Sequence, residues 1–427
     1  MPIEVSCECG GRFRAKDELA GRQVKCPRCA RMLTIPSQTF DLVEDEPPRR
    51  PAYRASAPAA QVRASDPEPY QAKTLPYPSR AAIAGRPARE WLYLALALTL
   101  LPLLWSTFHS HRETHEDQLR QTLKVHPEAS KRVFEVMEQR NATYAELFAV
   151  LPGHRFEGAL LGYGSKVHWL YALIAAGAFF GLALVMLPTA STKPLHVFLT
   201  GLFTGTAGVL LLLGVQLIAS SMRGRIIIPR SIVGLIFLIL KGIQLSYDAA
   251  NDAKSNFFLS ALGFTFGVGL CEELCKALPL LWHYRKRAKL DWRGACLWGF
   301  LSGVGFGLSE AIMYSGDSYN GFAAGQTYLV RFISCVGLHG IWAAAAGIFI
   351  YKHQNLIQDA ASWYGMLFSS AVLVSVPMVL HGFYDTMLKK DMNTAALCVA
   401  VISFGWLVFQ IEQARWRESG HASPAYA

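Results

Sequence analysis

The chain has 427 residues, 52% of them hydrophobic, with a mean hydropathy of +0.24 and a formal net charge of +10. A chain this apolar is unlike a single soluble domain and unlike a disordered protein, although it carries 41 Lys and Arg residues. The composition therefore favours an integral membrane protein.

Residues 1–36 contain four cysteines in two close pairs. The pairs are C-x-C and C-x2-C, formed by Cys7, Cys9, Cys26 and Cys29. Four thiolates so spaced predict a closed, structural Zn²⁺ site, and the segment resembles the small zinc ribbons at the N-termini of many bacterial proteins. A peptide this short cannot bury a sufficient core, so the metal would supply its folding free energy. Two disulfides or free thiols are the alternatives.

The residues after the ribbon are polar and lack apolar periodicity. Residues 37–90 are rich in Pro, Ala, Arg and Ser, which predicts a disordered tether. Nucleic-acid binding by the basic ribbon is possible in principle, but a solvated basic surface is the favoured interpretation. We therefore expect no nucleic-acid partner.

The remaining chain consists mainly of apolar segments long enough to cross ~30 Å of hydrocarbon. The first is not a cleaved signal peptide, because about ninety polar residues precede it. Nine candidates are predicted, at 91–108, 168–188, 195–220, 231–247, 257–282, 294–315, 327–351, 363–388 and 394–412. Each must be helical to satisfy its own backbone in lipid, so the predicted fold is all-α, a polytopic helix bundle with a small zinc ribbon.

This pattern divides the chain into five parts. The predicted domains are the ribbon 1–36, the tether 37–90, N-terminal spans 91–250 with a polar loop at 109–167, a core at 251–413 and a tail at 414–427. The polar loop is predicted to hold one or two amphipathic helices.

Three charged residues interrupt the apolar run from Phe257 to Trp282. They are Glu272, Glu273 and Lys276. An ionisable side chain at bilayer depth costs roughly 2.5–3.5 kcal/mol, so such a cluster indicates a functional site. On a helix Lys276 can reach either carboxylate, at three or four residues' distance, which leaves one carboxylate without a full partner. A buried carboxylate of that kind suits a general base.

The next spans add further polar residues. Glu310 lies seven residues after Gly303, in a ladder of small residues that permits close helix approach and should turn the acid towards a neighbouring helix. His339 lies near the centre of the following span. His381 and Asp385 are four apart and share a helix face, where the carboxylate can orient the imidazole. Together they predict one shared polar site.

The ordered set of motifs resembles the PrsW family of intramembrane proteases, which belongs to the superfamily of type II CAAX prenyl endopeptidases. The motifs are Glu272-Glu273-x-x-Lys276, Phe306-x-x-x-Glu310, His339 and His381-x-x-x-Asp385, within about 255–390. The resemblance implies cleavage of a peptide bond in or beside a membrane-embedded protein. An anti-sigma-like regulatory protein is the substrate that the family suggests.

The resemblance also implies roles for these residues. Glu272 would activate the attacking water, and Glu310 would help to hold that water or a metal. His339 would complete the polar centre. His381 and Asp385 would stabilise the oxyanion or complete metal ligation.

The remaining two residues of the first motif, Glu273 and Lys276, would pair and position the base. Glu310, His339 and His381 are the candidate ligands if a catalytic metal is present. A metal-free mechanism with glutamate and water would use the same residues, so the sequence leaves both open.

Two other functions would explain buried charges. An ion-coupled transporter uses intramembrane Glu, Lys and His as proton relays, although no inverted repeat is visible. A non-catalytic receptor with a zinc ribbon is the third alternative. The ordered motifs favour the protease.

The predicted location is the bacterial inner membrane. The basic loop at 285–293 should be cytoplasmic, and a ribbon of reduced thiolates should lie on the same side. That requires an even number of spans before the loop, so one candidate must be re-entrant or interfacial. The weakest is 231–247, which contains Lys241.

Overall fold

The structure, a computed structural model, describes residues 3–6, 12–15, 23–25, 29, 32–34, 90–109, 114–139, 142–225 and 231–418. The chain divides into two compact units, Met1–Pro76 and Tyr77–Ala427.

The described part of the first unit consists of two antiparallel hairpins. They pair β1 (Ile3–Ser6) with β2 (Arg12–Ala15) and β3 (Gln23–Lys25) with β4 (Met32–Thr34). Each cysteine pair falls, by sequence position, in the connection of one hairpin. Cys29 is exposed, whereas Cys7, Cys9 and Cys26 lie outside the described residues, as does nearly all of the predicted tether. The zinc site therefore stays a prediction.

The regular secondary structure in the described part of the second unit is all helical, which confirms the predicted all-α polytopic bundle. Its membrane-spanning candidates are α1 (Glu90–His109), α5 (His168–Met186), α6 (Pro194–Ser220), α7 (Ile232–Asn251), α8 (Phe257–Arg285), α9 (Trp292–Tyr319), α10 (Gly325–Lys352), the pair α12 (Trp363–Leu373) and α13 (Ser375–Lys389), and α14 (Asn393–Glu418). The short helices are α2 (His115–Val125), α3 (Ser130–Met137), α4 (Tyr144–Val150) and α11 (Asn355–Gln358).

The predicted span at 363–388 is broken. Helices α12 and α13 meet at Val374 with a bend of 58°. Pro377 lies in the first turn of α13, where its missing N–H is tolerated. In a continuous helix its ring would clash with the carbonyl of Leu373, so the chain bends instead.

Two hydrogen bonds between loops show which helix ends lie together. The backbone N–H of Ser191 donates to Oδ1 of Asp291 at 3.4 Å, and the N–H of Asp291 donates to Oγ of Ser191 at 3.3 Å. The loop before α6 and the loop after α8 therefore share one end of the bundle. An even number of crossings must separate them, so α6, α7 and α8 cannot all cross completely. Helix α7 is the least buried of the three, because only 6% of its 18-residue apolar stretch is buried by other parts of the protein.

The polar segment at 114–165 forms a small domain at the opposite end, with three short helices where one or two were expected. It is tied to the loop between α9 and α10. The N–H of Phe156 donates to the carbonyl of Gly321, and that of Leu160 to the carbonyl of Ala323, both at 2.9 Å. Phe322 inserts among aromatic rings of this domain. The loop that links two site-bearing helices is thereby held in place.

Helices α9 and α10 form the centre of the bundle, and 89% of an 18-residue apolar stretch of α10 is buried. A Cβ at Gly299 would overlap the carbonyl oxygen of Ala343, and a Cβ at Gly303 would overlap that of His339. The predicted close approach at the small-residue ladder is confirmed. Only glycine lets the two backbones come near enough to bring their polar residues together.

Gly303→Ala is expected to destabilise the bundle, because its methyl group would meet backbone that cannot rotate away. Overpacking of this kind costs about 1–3 kcal/mol. Thermal unfolding in detergent measures the effect. Gly177→Ala on α5 is the matched control, since no atom lies within 4 Å of its added Cβ. Equal unfolding temperatures for the two variants would contradict the close seam.

Candidate active site

The charged cluster lies on one turn of α8, and its three side chains are almost fully buried. Nζ of Lys276 lies 2.7 Å from Oε1 of Glu273 and 3.4 Å from Oε2 of Glu272. The predicted pairing is confirmed, and it is unequal. Glu273 holds the cation closely, whereas Glu272 keeps only the longer contact.

Neighbouring helices hold this turn of α8 in place. Oγ of Ser302 on α9 donates to the backbone carbonyl of Lys276 at 2.6 Å. The Phe306 ring lies 4.6 Å from Nζ of Lys276, so its face stabilises the ammonium. The Phe in the Phe306-x-x-x-Glu310 motif therefore contacts the cation of the first motif.

His339 bridges the ammonium and a second carboxylate. Its Nδ1 lies 2.7 Å from Nζ of Lys276, and its Nε2 lies 2.8 Å from Oε2 of Glu310. An ammonium can only donate, so Nδ1 is the acceptor and the ring hydrogen is on Nε2. Both nitrogens of His339 are therefore engaged.

A basic group lies close to each carboxylate oxygen of Glu310. Oε1 lies 2.6 Å from a guanidinium nitrogen of Arg331, whose guanidinium stacks over the Tyr314 ring at 4.1 Å. Sequence reasoning left Arg331 out of the site. The signal was available, because a cation in an apolar span needs a carboxylate, and Glu310 had no cation assigned to it.

His381 is oriented mainly by Glu273 across the helix interface. Its Nδ1 lies 3.0 Å from Oε1 of Glu273, so Nδ1 carries the hydrogen and Nε2 faces inward. Nε2 lies 3.4 Å from Oδ2 of Asp385 and 3.7 Å from Oε2 of Glu272. Asp385 was the expected orienting group, yet it lies at the inner nitrogen.

Trp342 contacts both imidazoles of the site, and it was not identified from the sequence. Its ring stacks on His381 with centroids 4.4 Å apart, and its Nε1 donates to Ser403. It lies three residues after His339, on the same face of α10, and this spacing was the available signal. The stacking keeps the imidazole plane fixed.

The site is most accessible beside its two outer acids. The side chains of Glu310 and Asp385 are 20% and 25% exposed, whereas those of Glu273 and Lys276 are fully buried. Glu272 lies between these layers, facing both imidazoles. The structure thus brings all seven predicted site residues together in one cluster.

Three side chains in the described part of the chain form a group of metal-ligand type. They are Glu272, His339 and His381, whose ligand atoms lie within 4.8 Å of one another. Two imidazoles and one carboxylate are a donor set that Zn²⁺ accepts. Glu310, a candidate ligand from sequence, is not in this group. Nζ of Lys276 lies close to two of the three donor atoms, so the group does not fit a metal while Lys276 keeps this position.

Comparison with known proteins agrees with the motif order. Residues 225–411 match a family model described as PrsW family intramembrane metalloprotease. Searches of curated proteins and of solved structures returned no match. All seven predicted site residues lie inside the matched segment. The match supports an intramembrane protease of the PrsW family in this part of a multi-pass membrane protein.

Proposed function

We propose that this chain hydrolyses a peptide bond of a membrane-embedded protein, with Glu272 as the general base that activates water. One observation carries the proposal. Within the cluster, Glu273 and Glu310 each have a cation and an imidazole within 3.0 Å, whereas the nearest basic group to Glu272 is Lys276 at 3.4 Å. A loosely held carboxylate in front of two imidazoles can take a proton from water.

The reaction requires a water molecule between Glu272 and the substrate carbonyl. Oε2 of Glu272 accepts a proton as the water oxygen bonds to the carbonyl carbon. An oxyanion then forms and needs a hydrogen-bond donor. His381, when it carries a second proton, presents Nε2–H to the same space, because Nε2 faces Glu272 and Asp385. Glu272 then passes its proton to the amide nitrogen, the C–N bond breaks, and an amine and a carboxylic acid are the products.

The other residues would orient these two. Glu273 fixes the tautomer of His381 and binds Lys276, which holds Glu272 and Nδ1 of His339. A charge that is fixed before reaction costs no reorganisation during it, which is how preorganised sites lower barriers.

The proposed substrate is a protein with a transmembrane segment, and an anti-sigma-like regulatory protein is the candidate that the family suggests. The outer acids Glu310 and Asp385 mark the side from which a segment would enter. Any substrate must expose its backbone there, since a helical peptide bond hides its carbonyl in a hydrogen bond.

We place the ribbon in the cytoplasm of a bacterial cell, with the protein in the inner membrane. The start of α1 lies near Trp292, at the same end as the basic loop 285–293, because Trp91 and Trp292 line the same cavity. The positive-inside rule assigns that end to the cytoplasm. The segment that precedes α1 would then join the bundle on the cytoplasmic side.

The test is a comparison of protein N-termini in membrane fractions from cells that express wild type or Glu272→Gln. New N-termini within or beside transmembrane segments are expected only with wild type. Identical sets of termini would reject the proposed proteolysis. Solute transport by reconstituted wild type without any cleavage would establish the transporter instead.

A further inference from the structure

We infer that the Lys276 ammonium excludes a divalent metal ion from the Glu272–His339–His381 group, and that removing Lys276 converts this group into a metal site. The inference deepens the proposed function, since it concerns the same site. Its test measures metal binding, so the two can fail separately.

The geometry follows from three distances. Nδ1 of His339 is 4.0 Å from Oε2 of Glu272, and Nζ of Lys276 is 2.7 Å from the first atom and 3.4 Å from the second. Zinc bonds to nitrogen and oxygen are about 2.0–2.2 Å, so an ion bound to both atoms must lie near the midpoint between them. The median of the triangle places that midpoint about 2.3 Å from Nζ, from the same three distances. Two cations cannot share this space.

Lys276 has no alternative position of comparable quality. Its side chain is fully buried, and Nζ contacts Glu272, Glu273 and His339. The rings of Phe306 and Trp342 lie 4.6 and 6.0 Å from Nζ. Moving the ammonium away would leave a buried charge without its carboxylates, which is strongly unfavourable.

The surrounding groups are nevertheless arranged as they are around metal-ligating histidines. Each imidazole has a carboxylate at its outer nitrogen, Glu310 at His339 and Glu273 at His381, and its other nitrogen faces the centre. Such outer carboxylates fix the tautomer that a ligand needs. In this chain the Lys276 ammonium takes the place of the metal cation.

The experiment titrates Co²⁺ into the full-length, metal-stripped protein in detergent. Cobalt bound by the four ribbon cysteines shows a thiolate-to-metal charge-transfer band, whereas a site of two imidazoles and a carboxylate does not. Wild type and Lys276→Arg should show only the thiolate signal. Lys276→Met should bind one additional Co²⁺ without increasing that band. The double variant Lys276→Met/His339→Ala should not bind this additional ion.

Added Zn²⁺ should also raise the unfolding temperature of Lys276→Met, because a ligand that binds only the folded state stabilises it. Lys276→Gln is the second variant, should Lys276→Met fail to fold. A folded Lys276→Met or Lys276→Gln variant that takes no additional metal would overturn the inference. So would a wild type whose core takes Co²⁺ in a manner that His339→Ala abolishes, whatever the Lys276 variants do. A wild type with no core metal and no proteolysis would reject the proposed function alone.

Discussion

Glu272→Gln should abolish proteolysis while the protein still folds and inserts. Gln keeps the shape of the side chain and can still accept a hydrogen bond from Lys276, but it cannot take the proton of the attacking water. Losing a positioned general base lowers rates by about 10²–10⁴-fold. The measurement is cleavage of a single-span substrate by the variant reconstituted in liposomes, with the fragments quantified.

Glu135→Gln is the matched control, because this glutamate is exposed in the small polar domain and paired only loosely with Lys131. It should cleave like wild type. Thermal unfolding of both variants should match wild type, which separates a chemical defect from a folding defect. Cleavage by Glu272→Gln at the wild-type rate would remove Glu272 from the proposed mechanism.

Glu273→Gln should both destabilise the bundle and inactivate the site. Glu273 is fully buried and is the closest acid to Lys276, at 2.7 Å, while it also fixes His381 at 3.0 Å. Removing its charge leaves Glu272, at 3.4 Å, as the carboxylate paired with Lys276. Breaking a buried pair in this way costs about 3–5 kcal/mol. Unfolding in detergent and cleavage are both measured.

The control for this second variant is Glu116→Gln, which breaks an exposed pair with Arg120 on α2. Exposed pairs at this helical spacing contribute about 0.3–0.5 kcal/mol, so the free energy of unfolding of Glu116→Gln should be close to that of wild type. If Glu273→Gln were as mild as Glu116→Gln, the cluster would have to be solvated. Its proposed role in orienting His381 would then fail with it.

Several features of this protein follow from the sequence because they depend on local spacing. Apolar length predicted the eight helices in the described residues that are long and apolar enough to cross a membrane, since backbone groups in lipid must be satisfied within one segment. Helical periodicity placed Lys276 within reach of both Glu272 and Glu273. The glycine spacing around Gly303 predicted a close helix seam. The PrsW-like order of motifs was visible in the same way.

Sequence spacing misled where a local signal had a tertiary alternative. The apolar run at 363–388 read as one span, but Pro377 breaks it. Asp385 was expected to orient His381, because it is four residues away. Glu273, which is 108 residues away, is nearer to Nδ1. The packing of α8 against α13 determines which carboxylate lies next to Nδ1 of His381.

Only the tertiary structure decided which charges are paired. Lys276 meets His339 across 63 residues of chain, and Arg331 lies 2.6 Å from Glu310 on another helix. Periodicity sets which face of a helix a residue occupies, but not the helix that this face meets or the depth at which they touch. Those depend on backbone approach at residues such as Gly303. The loose hold on the Glu272 carboxylate is therefore a result of packing among four helices, although each of its partners could be found in the sequence.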